Sequence, residues 1–375
     1  MKVQLLDLAS QYRKIRKEAL EEIKKVCDSQ HYILGKNVAA LESEIAAYTG
    51  AKYAIGVASG TDAILIALMA AGVKAGDKVV TTPFTFFATA GSISRIGAIP
   101  VFVDIDPETY NIDPTALEAL LKKSSKGVKA VIPVHLYGQC ADMDPVMKIA
   151  KKYKLCVIED AAQSIGAGYK GKRAGAIGHM GCLSFYPTKN LGCFGDGGMV
   201  TTNDAKLAER SKMLRVHGSR VRYYHDEVGA NSRLDEIQAA ILRIKLKRLD
   251  SWATGREKNA KKYDALFAKA AIKGVLSTPR ISEGSTSVYN QYVIRVKKRD
   301  ELRAYLAAEG IGSEVYYPLP LHMQKCFKGL GYKKGAFPVS EKAAKEVLAL
   351  PIYPELTTAQ IKHVVATIAS FFEKA

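Results

Sequence analysis

The chain has 375 residues, of which 48% are hydrophobic, a length that can bury a large core and favours two domains over one. No apolar stretch is long enough to span a bilayer and the charged N-terminus has no signal-peptide core, so we expect a cytoplasmic protein without membrane contact. The net charge of +18 is spread over short lysine runs with few interleaved aromatics, which indicates solvated helix faces and not nucleic-acid binding, and is compatible with a phosphate-bearing small molecule.

In chain order, the first predicted element is an amphipathic helix that starts near Ser10, with Ile15, Leu20 and Ile23 on its inner face. Short β-branched runs then alternate with helical stretches from about residue 51 to residue 202. The predicted strands are 54–58, 78–82, 99–103, 130–134, 155–158 and 182–185, and the predicted helices among them are 61–71, 88–96 and 144–153. Alternation with near-continuous apolar strands predicts an α/β fold with a mostly parallel sheet between helices.

After Leu249 the pattern changes to a helix, a strand and two further helices, predicted at 253–269, 291–297, 299–309 and 340–348. This part is typical of a smaller α+β domain. We therefore expect a large domain over residues 1–250 and a small C-terminal domain over residues 251–375.

The six cysteines are scattered and form no CxxC pair, and three of the histidines, His135, His179 and His217, show no metal-ligand spacing. These features argue against a disulfide framework and against a metal site.

Two of four candidate ligand-binding signals follow the first and fifth predicted strands, at the carboxyl ends where such sheets bind ligands. Ser59-Gly60-Thr61 opens an apolar helix, whose free amides and dipole suit a phosphate. The alternative is a simple helix cap. Asp160 ends the fifth strand and could pair with a protonated pyridine nitrogen. The alternative is a carboxylate that caps the next turn.

The other two signals follow the predicted strands 182–185 and 78–82. Lys189 comes after the first of these and before the glycine-rich residues 192–198. Desolvation would make this lysine a nucleophile, and glycines let the backbone approach a flat ring closely. The alternative is a solvated surface lysine. Residues 84–87 (FTFF) place aromatic rings where they could stack on a planar cofactor, although such rings are more often part of a core.

In combination these segments resemble the DegT/DnrJ/EryC1/StrS sugar aminotransferase family, which are pyridoxal 5′-phosphate (PLP) enzymes of fold type I. The resemblance covers nearly the whole chain. It is carried by the segments HYILGKNVAALE (31–42), ASGTDAI (58–64), FTFFATA (84–90), VDIDPETYNIDP (103–114), HLYGQCADM (135–143), IEDAAQSIGA (158–167), SFYPTKNLGCFGDGG (184–198), GANSRLDEIQAA (229–240) and SEVYYPLPLH (313–322).

The resemblance implies catalytic roles for two residues. Lys189 would carry the cofactor as a Schiff base and move the proton between substrate and cofactor, and Asp160 would pair with the pyridinium nitrogen. It also implies further cofactor contacts: Gln163 with the phenolic oxygen, Phe86 with the ring face, and Gly60, Thr61 and Ser184 with the phosphate. Asn231 would reach the phosphate from the neighbouring subunit, so the active site would require a homodimer.

Substrate contacts are also implied by the resemblance, for Arg233, Tyr316, Tyr317 and His322. Arg233 could instead form an internal ion pair with Asp235 or Glu236. The implied reaction moves an amino group from L-glutamate to a nucleotide-linked keto-sugar, for the synthesis of surface polysaccharide, including lipopolysaccharide, or a related glycan.

The segments most resemble enzymes that aminate C3, either of UDP-2-acetamido-3-keto-glucuronic acid or of a dTDP-3-keto-6-deoxyhexose. Some uronate enzymes carry His-Tyr-Pro where this chain has Tyr316-Tyr317-Pro318, a departure that leaves the sugar open. The alternatives are amination at C4 and a non-catalytic sensor or scaffold with the same fold.

Overall fold

The computed structural model describes residues 1–270, 272 and 276–374. Its strands are, in chain order, β1 (Tyr53–Val57), β2 (Lys78–Thr81), β3 (Ile99–Phe102), β4 (Val128–Val131), β5 (Cys156–Asp160), β6 (Gly168–Tyr169), β7 (Lys172–Arg173), β8 (Met180–Ser184), β9 (Gly198–Thr202), β10 (Ser219–Val221), β11 (Tyr224–His225), β12 (Leu276–Ser277), β13 (Ser285–Thr286), β14 (Tyr292–Val296) and β15 (Val347–Leu350).

The helices are α1 (Leu8–Ser29), α2 (Lys36–Thr49), α3 (Gly60–Ala70), α4 (Phe87–Arg95), α5 (Pro114–Lys123), α6 (Met143–Tyr153), α7 (Ala205–Leu214), α8 (Glu236–Leu246), α9 (Leu249–Lys269), α10 (Arg299–Ala308), α11 (Pro338–Glu346) and α12 (Thr358–Lys374). Aspartate side chains cap the first turns of some of these helices: Asp7 accepts a hydrogen bond from the Ser10 amide in α1, and Asp113 accepts one from the Thr115 amide in α5. No helix within the described ranges is both long and apolar enough to cross a membrane.

The central sheet has seven strands in the order β1-β9-β8-β5-β4-β2-β3. The pairs from β8 to β3 are parallel, whereas β9 runs antiparallel to both β8 and β1. Consequently β1, β5 and β8 point the same way and their carboxyl ends lie at one edge. The sheet confirms the predicted mostly parallel fold.

Alternate residues of the central strands enter different apolar clusters. Val79 and Ile158 pack on one face of the sheet, whereas Val80 and Val157 pack on the other, and all four are fully buried. Helix α3 lies against β8 and β9 in the first cluster, and α2, α5 and α6 contribute to the second. Burial on both faces explains why these strands are apolar throughout rather than alternating.

The C-terminal part has its own three-stranded antiparallel sheet, β12-β14-β15, packed with α9, α10 and α12. Helix α9 starts at Leu249, and the division into two domains near residue 250 stays a prediction. The first residues of the chain also join this part, because Val3 pairs with Ile311 in a parallel bridge.

Two details differ from the sequence predictions. Leu20 was placed on the inner face of α1, but it is 49% exposed, and the buried residues of that helix are Ile15, Ala19 and Val26. The predicted helix over 340–348 ends early, because residues from Val347 onward form β15 beside β14. An apolar run of four residues satisfies a helix or a buried strand equally well, and the open edge of β14 decides the outcome.

Candidate active site

The first turn of α3 forms one wall of a pocket at the carboxyl edge of the sheet. Ser59 caps the helix by accepting the Asp62 amide at 3.1 Å, which is the alternative considered from the sequence. Gly60 and Thr61 line the pocket beside Ser184 at the end of β8. A Cβ on Gly60 would lie 2.5 Å from the Ser184 Cβ, so only glycine permits this approach. The amides of a first helical turn lack intrahelical acceptors and suit an anion.

Asp160 ends β5 and lies in the same pocket with only 5% of its surface exposed. One carboxylate oxygen accepts from Thr89 Oγ1 at 2.7 Å, and the other accepts from the Ala162 amide at 3.2 Å. A carboxylate offers about four acceptor positions, so these two bonds leave capacity for another donor. The Ala162 bond shows that capping the next turn and facing the pocket are compatible.

Lys189 lies in the turn after β8, where its amide donates to the Tyr186 carbonyl at 2.8 Å, and it lines the pocket together with Asp160. Burial lowers the pKa of the Lys189 amine from 10.5 to about 8, although the Asp160 charge opposes that change. A largely buried amine contradicts the alternative of a solvated surface lysine. Near neutral pH a useful fraction of this amine is neutral and nucleophilic.

Gln163 and two aromatic residues complete the wall opposite α3. The Gln163 Oε1 accepts from the Tyr137 amide at 2.8 Å, and its Nε2 donates to the Tyr317 hydroxyl at 3.0 Å. One Nε2 hydrogen therefore remains available. Phe86 is 57% exposed and lines the pocket, with its ring centroid 6.1 Å from that of Tyr317. An exposed aromatic face at this position can stack on a flat ligand.

The pocket has a volume of about 550 Å³, within the range of small-molecule sites. The structure brings together nine of the predicted catalytic, cofactor-binding and substrate-binding residues around this pocket. They are Gly60, Thr61, Phe86, Asp160, Gln163, Ser184 and Lys189, with Tyr316 and Tyr317 from the C-terminal part. The Tyr316 carbonyl accepts a hydrogen bond from the Tyr137 hydroxyl.

Three predicted residues lie outside this lining. Asn231 is exposed and forms a bridge with Val216. Arg233 is half-buried and, among the described residues, has no carboxylate within ion-pair distance. His322 is buried, with Nε2 at 3.1 Å from Glu341 Oε1, and the geometry gives no support to its predicted substrate contact.

Arg233 does not pair with Glu236 because that carboxylate has other donors. It accepts the amides of Asn37 at 2.5 Å and Val38 at 3.1 Å, at the start of α2. Asp235, the other suggested partner, is exposed.

Sequence reasoning missed several pocket residues, namely Thr85, Tyr186, Thr188, Asp196 and Gln291, and the buried Thr89 behind Asp160. Thr85 lies before the helix that contains Thr89, and their hydroxyl oxygens are 3.0 Å apart. Tyr186, Thr188 and Asp196 lie in the segment 184–198 that carries the resemblance but received no role of their own, and Gln291 reaches the pocket only through folding.

Comparison with known proteins agrees with this geometry. Residues 13–369 match the DegT/DnrJ/EryC1/StrS aminotransferase family model. A "pleiotropic regulatory protein" of Geobacillus stearothermophilus is 54% identical and covers 99% of both chains. The UDP-2-acetamido-2-deoxy-3-oxo-D-glucuronate aminotransferase of Pseudomonas aeruginosa is 45% identical over 98% of this chain and 100% of its own length. The crystal structure of DesV from S. venezuelae with a ketimine intermediate superposes with a TM-score of 0.95 at 40% identity, over 100% of this chain and 99% of that one.

Proposed function

This chain belongs to the DegT/DnrJ/EryC1/StrS aminotransferase family, and on that basis we propose that it transfers an amino group from L-glutamate to C3 of a nucleotide-linked keto-sugar. The observation that carries the proposal is the convergence of a desolvated amine, Lys189, and a buried carboxylate, Asp160, in one pocket with the first turn of α3. The P. aeruginosa relative, whose name specifies a 3-oxo sugar, supports the position of amination.

The donors and acceptors of the pocket fit pyridoxal 5′-phosphate. The first-turn amides of α3 and the Ser184 hydroxyl would hold the phosphate, and Phe86 would cover one face of the ring. Asp160 has a free acceptor position for a protonated ring nitrogen. Once bound, the cofactor supplies an aldehyde for the amino group and a ring that accepts electrons.

The protein's own residues would then orient the reactants and move the proton. The Lys189 amine, with its pKa lowered by burial to about 8, would take a proton from the substrate carbon and return it to the cofactor side. Gln163 is held by Tyr137 and Tyr317, so its remaining N–H hydrogen is aimed by two fixed contacts. Sodium borohydride should fix the cofactor to wild-type protein and not to Lys189→Ala.

We assign the missing phosphate contact to Asn231 of a second copy of this chain, since Asn231 is exposed and absent from its own pocket lining. Apolar side chains of Tyr32, Ile33 and Leu34, which are 39%, 46% and 39% exposed, would be covered in such a homodimer.

Mixing two inactive variants tests whether Asn231 acts in the partner's site. Lys189→Ala and Asn231→Ala protomers should together form one intact shared site, so activity should return on mixing. Continued inactivity of a mixed dimer would place Asn231 in its own chain's site.

The identity of the sugar is tested by offering glutamate with a panel of UDP- and dTDP-linked 3-keto and 4-keto sugars and weighing the products by mass spectrometry. We expect an amino sugar from 3-keto substrates, formed in the cytoplasm for surface polysaccharide. Arg233→Ala should weaken binding of the nucleotide sugar, because the Arg233 guanidinium, which has no carboxylate partner among the residues described, suits a diphosphate or carboxylate.

A second candidate is a regulatory role without catalysis, which the name of the G. stearothermophilus relative suggests for that protein. Turnover with any keto-sugar in the panel would exclude a purely binding role. Absence of turnover across the panel, in protein that carries the cofactor, would favour the regulatory role.

A further inference from the structure

Two buried threonine hydroxyls lie next to Asp160, that of Thr89 outside the pocket lining and that of Thr85 at its wall. Thr89, in the first turn of α4, has no exposed surface, and its Oγ1 lies 2.7 Å from Asp160 Oδ2. Thr85, just before that helix, is 2% exposed, and its Oγ1 lies 3.0 Å from Thr89 Oγ1. The three groups form a continuous chain of short contacts.

The chemistry of the groups fixes the direction of this chain. Thr89 donates its single hydroxyl hydrogen to Asp160 Oδ2, as it must whenever that oxygen carries no hydrogen. Thr89 can then only accept from Thr85. Each hydrogen bond therefore points toward the carboxylate, and bonds aligned in one direction strengthen one another in a low-dielectric interior.

We propose that Thr89, supported by Thr85, is a positioning residue that holds the Asp160 carboxylate as a hydrogen-bond acceptor and thereby favours a proton on the ring nitrogen of the cofactor. The inference rests on the proposed function, in which Asp160 pairs with that nitrogen. The shared proton can lie on the nitrogen, which gives an ion pair, or on the carboxylate, which gives a neutral pair. A bond donated to the carboxylate stabilises its charged form more than its neutral form, so it favours the ion pair and a more strongly electron-accepting ring.

The test compares wild-type protein with Thr89→Val and Thr89→Ser, each loaded with pyridoxal 5′-phosphate carrying ¹⁵N in the ring. Nitrogen NMR distinguishes a protonated from a neutral ring. Thr89→Val should move the signal toward the neutral form, whereas Thr89→Ser, which keeps the hydroxyl, should retain the wild-type signal. The single-turnover rate with glutamate should fall roughly 10- to 100-fold in Thr89→Val, the range expected for a lost bond to a charged group, with little change in glutamate affinity.

Thr81→Val is the matched control, because Thr81 is also fully buried but donates to the Ile132 carbonyl at 2.9 Å. It should lose stability without moving the nitrogen signal. A wild-type signal in loaded Thr89→Val protein, or equal movement in the Ser and Val variants, would overturn the proposal. If Thr89→Val does not load the cofactor, Thr89→Ala must show the same movement and Thr85→Val a smaller one. Since the signal needs no turnover, it decides this question even if no sugar in the panel is aminated.

Discussion

Replacing Lys189 with methionine should stabilise the cofactor-free protein while abolishing its chemistry. Burial lowers the pKa of the Lys189 amine from 10.5 to about 8 in the folded chain. The unfolded chain returns this amine to water and to its ordinary pKa. At neutral pH the folded protein therefore holds a cation that its surroundings disfavour, and methionine, with a similar length and no charge, removes that cost.

The size of the effect follows from the two pKa values. A change from 10.5 to about 8 corresponds to about 3 kcal/mol, at about 1.36 kcal/mol for each unit of pKa. Below pH 8 both states of the lysine are protonated and the full penalty applies. Between about pH 8 and 10.5 the unfolded state binds more protons than the folded state, so the stability of the wild-type protein rises with pH. The advantage of Lys189→Met should shrink across that interval.

Urea unfolding of cofactor-free wild-type and Lys189→Met protein, at pH 7 and again near pH 10, measures this difference directly. Comparing the free energies of unfolding of the variant and wild type at the same pH removes the contribution of all other titrating groups. Lys129→Met, at an exposed position in β4, is the control and should change stability little at either pH. Two results would show that the Lys189 amine is not desolvated in the folded protein: Lys189→Met no more stable than wild type at pH 7, or a stability gain that is the same at both pH values. Either result would remove the physical basis for assigning Lys189 as the nucleophile.

Three further changes test other parts of the structure. Asp160→Asn should keep the cofactor but lower the single-turnover rate at least ~100-fold, as expected for a broken buried pair; an unchanged rate would remove the carboxylate from the mechanism. Gly60→Ala should weaken pyridoxal 5′-phosphate binding in equilibrium dialysis, because the added Cβ would lie 3.1 Å from the Ser184 Cα and even closer to the Ser184 side chain. The control Gly329→Ala has open space around its added Cβ and should bind the cofactor normally. Glu236→Gln should lower the free energy of unfolding in urea by about 1–3 kcal/mol, since one of the two amides at the start of α2 loses its acceptor. Equal unfolding midpoints for the variant and wild type would contradict that role.

The parallel strands were predictable because each must be apolar on both faces. Predicted strand 78–82 is one residue longer than β2 at its C-terminal end, and predicted helix 61–71 is shifted by one residue from α3. Strand β9 was not predicted, because Gly198 and the glycines before it indicate a loop, and only pairing with β8 and β1 makes Gly198–Thr202 extended. The antiparallel strand β9 between β1 and β8 matters for function, because it places Ser59 and Gly60, which follow β1, beside Ser184 at the end of β8.

Arg233 shows why sequence proximity is a poor guide to charge pairing. Asp235 and Glu236 are its nearest acidic neighbours in the chain, and an internal ion pair was a reasonable alternative to ligand binding. In the fold, the Glu236 carboxylate instead accepts hydrogen bonds from two amides at the start of α2, about 200 residues earlier in the chain. The start of the helix would otherwise leave these two donors unpaired. Two backbone donors fixed by a helix hold a carboxylate without the entropy cost of ordering a long arginine side chain. The Arg233 guanidinium, half-buried and close in sequence to Asn231, therefore has no carboxylate within ion-pair distance in the described part of the chain.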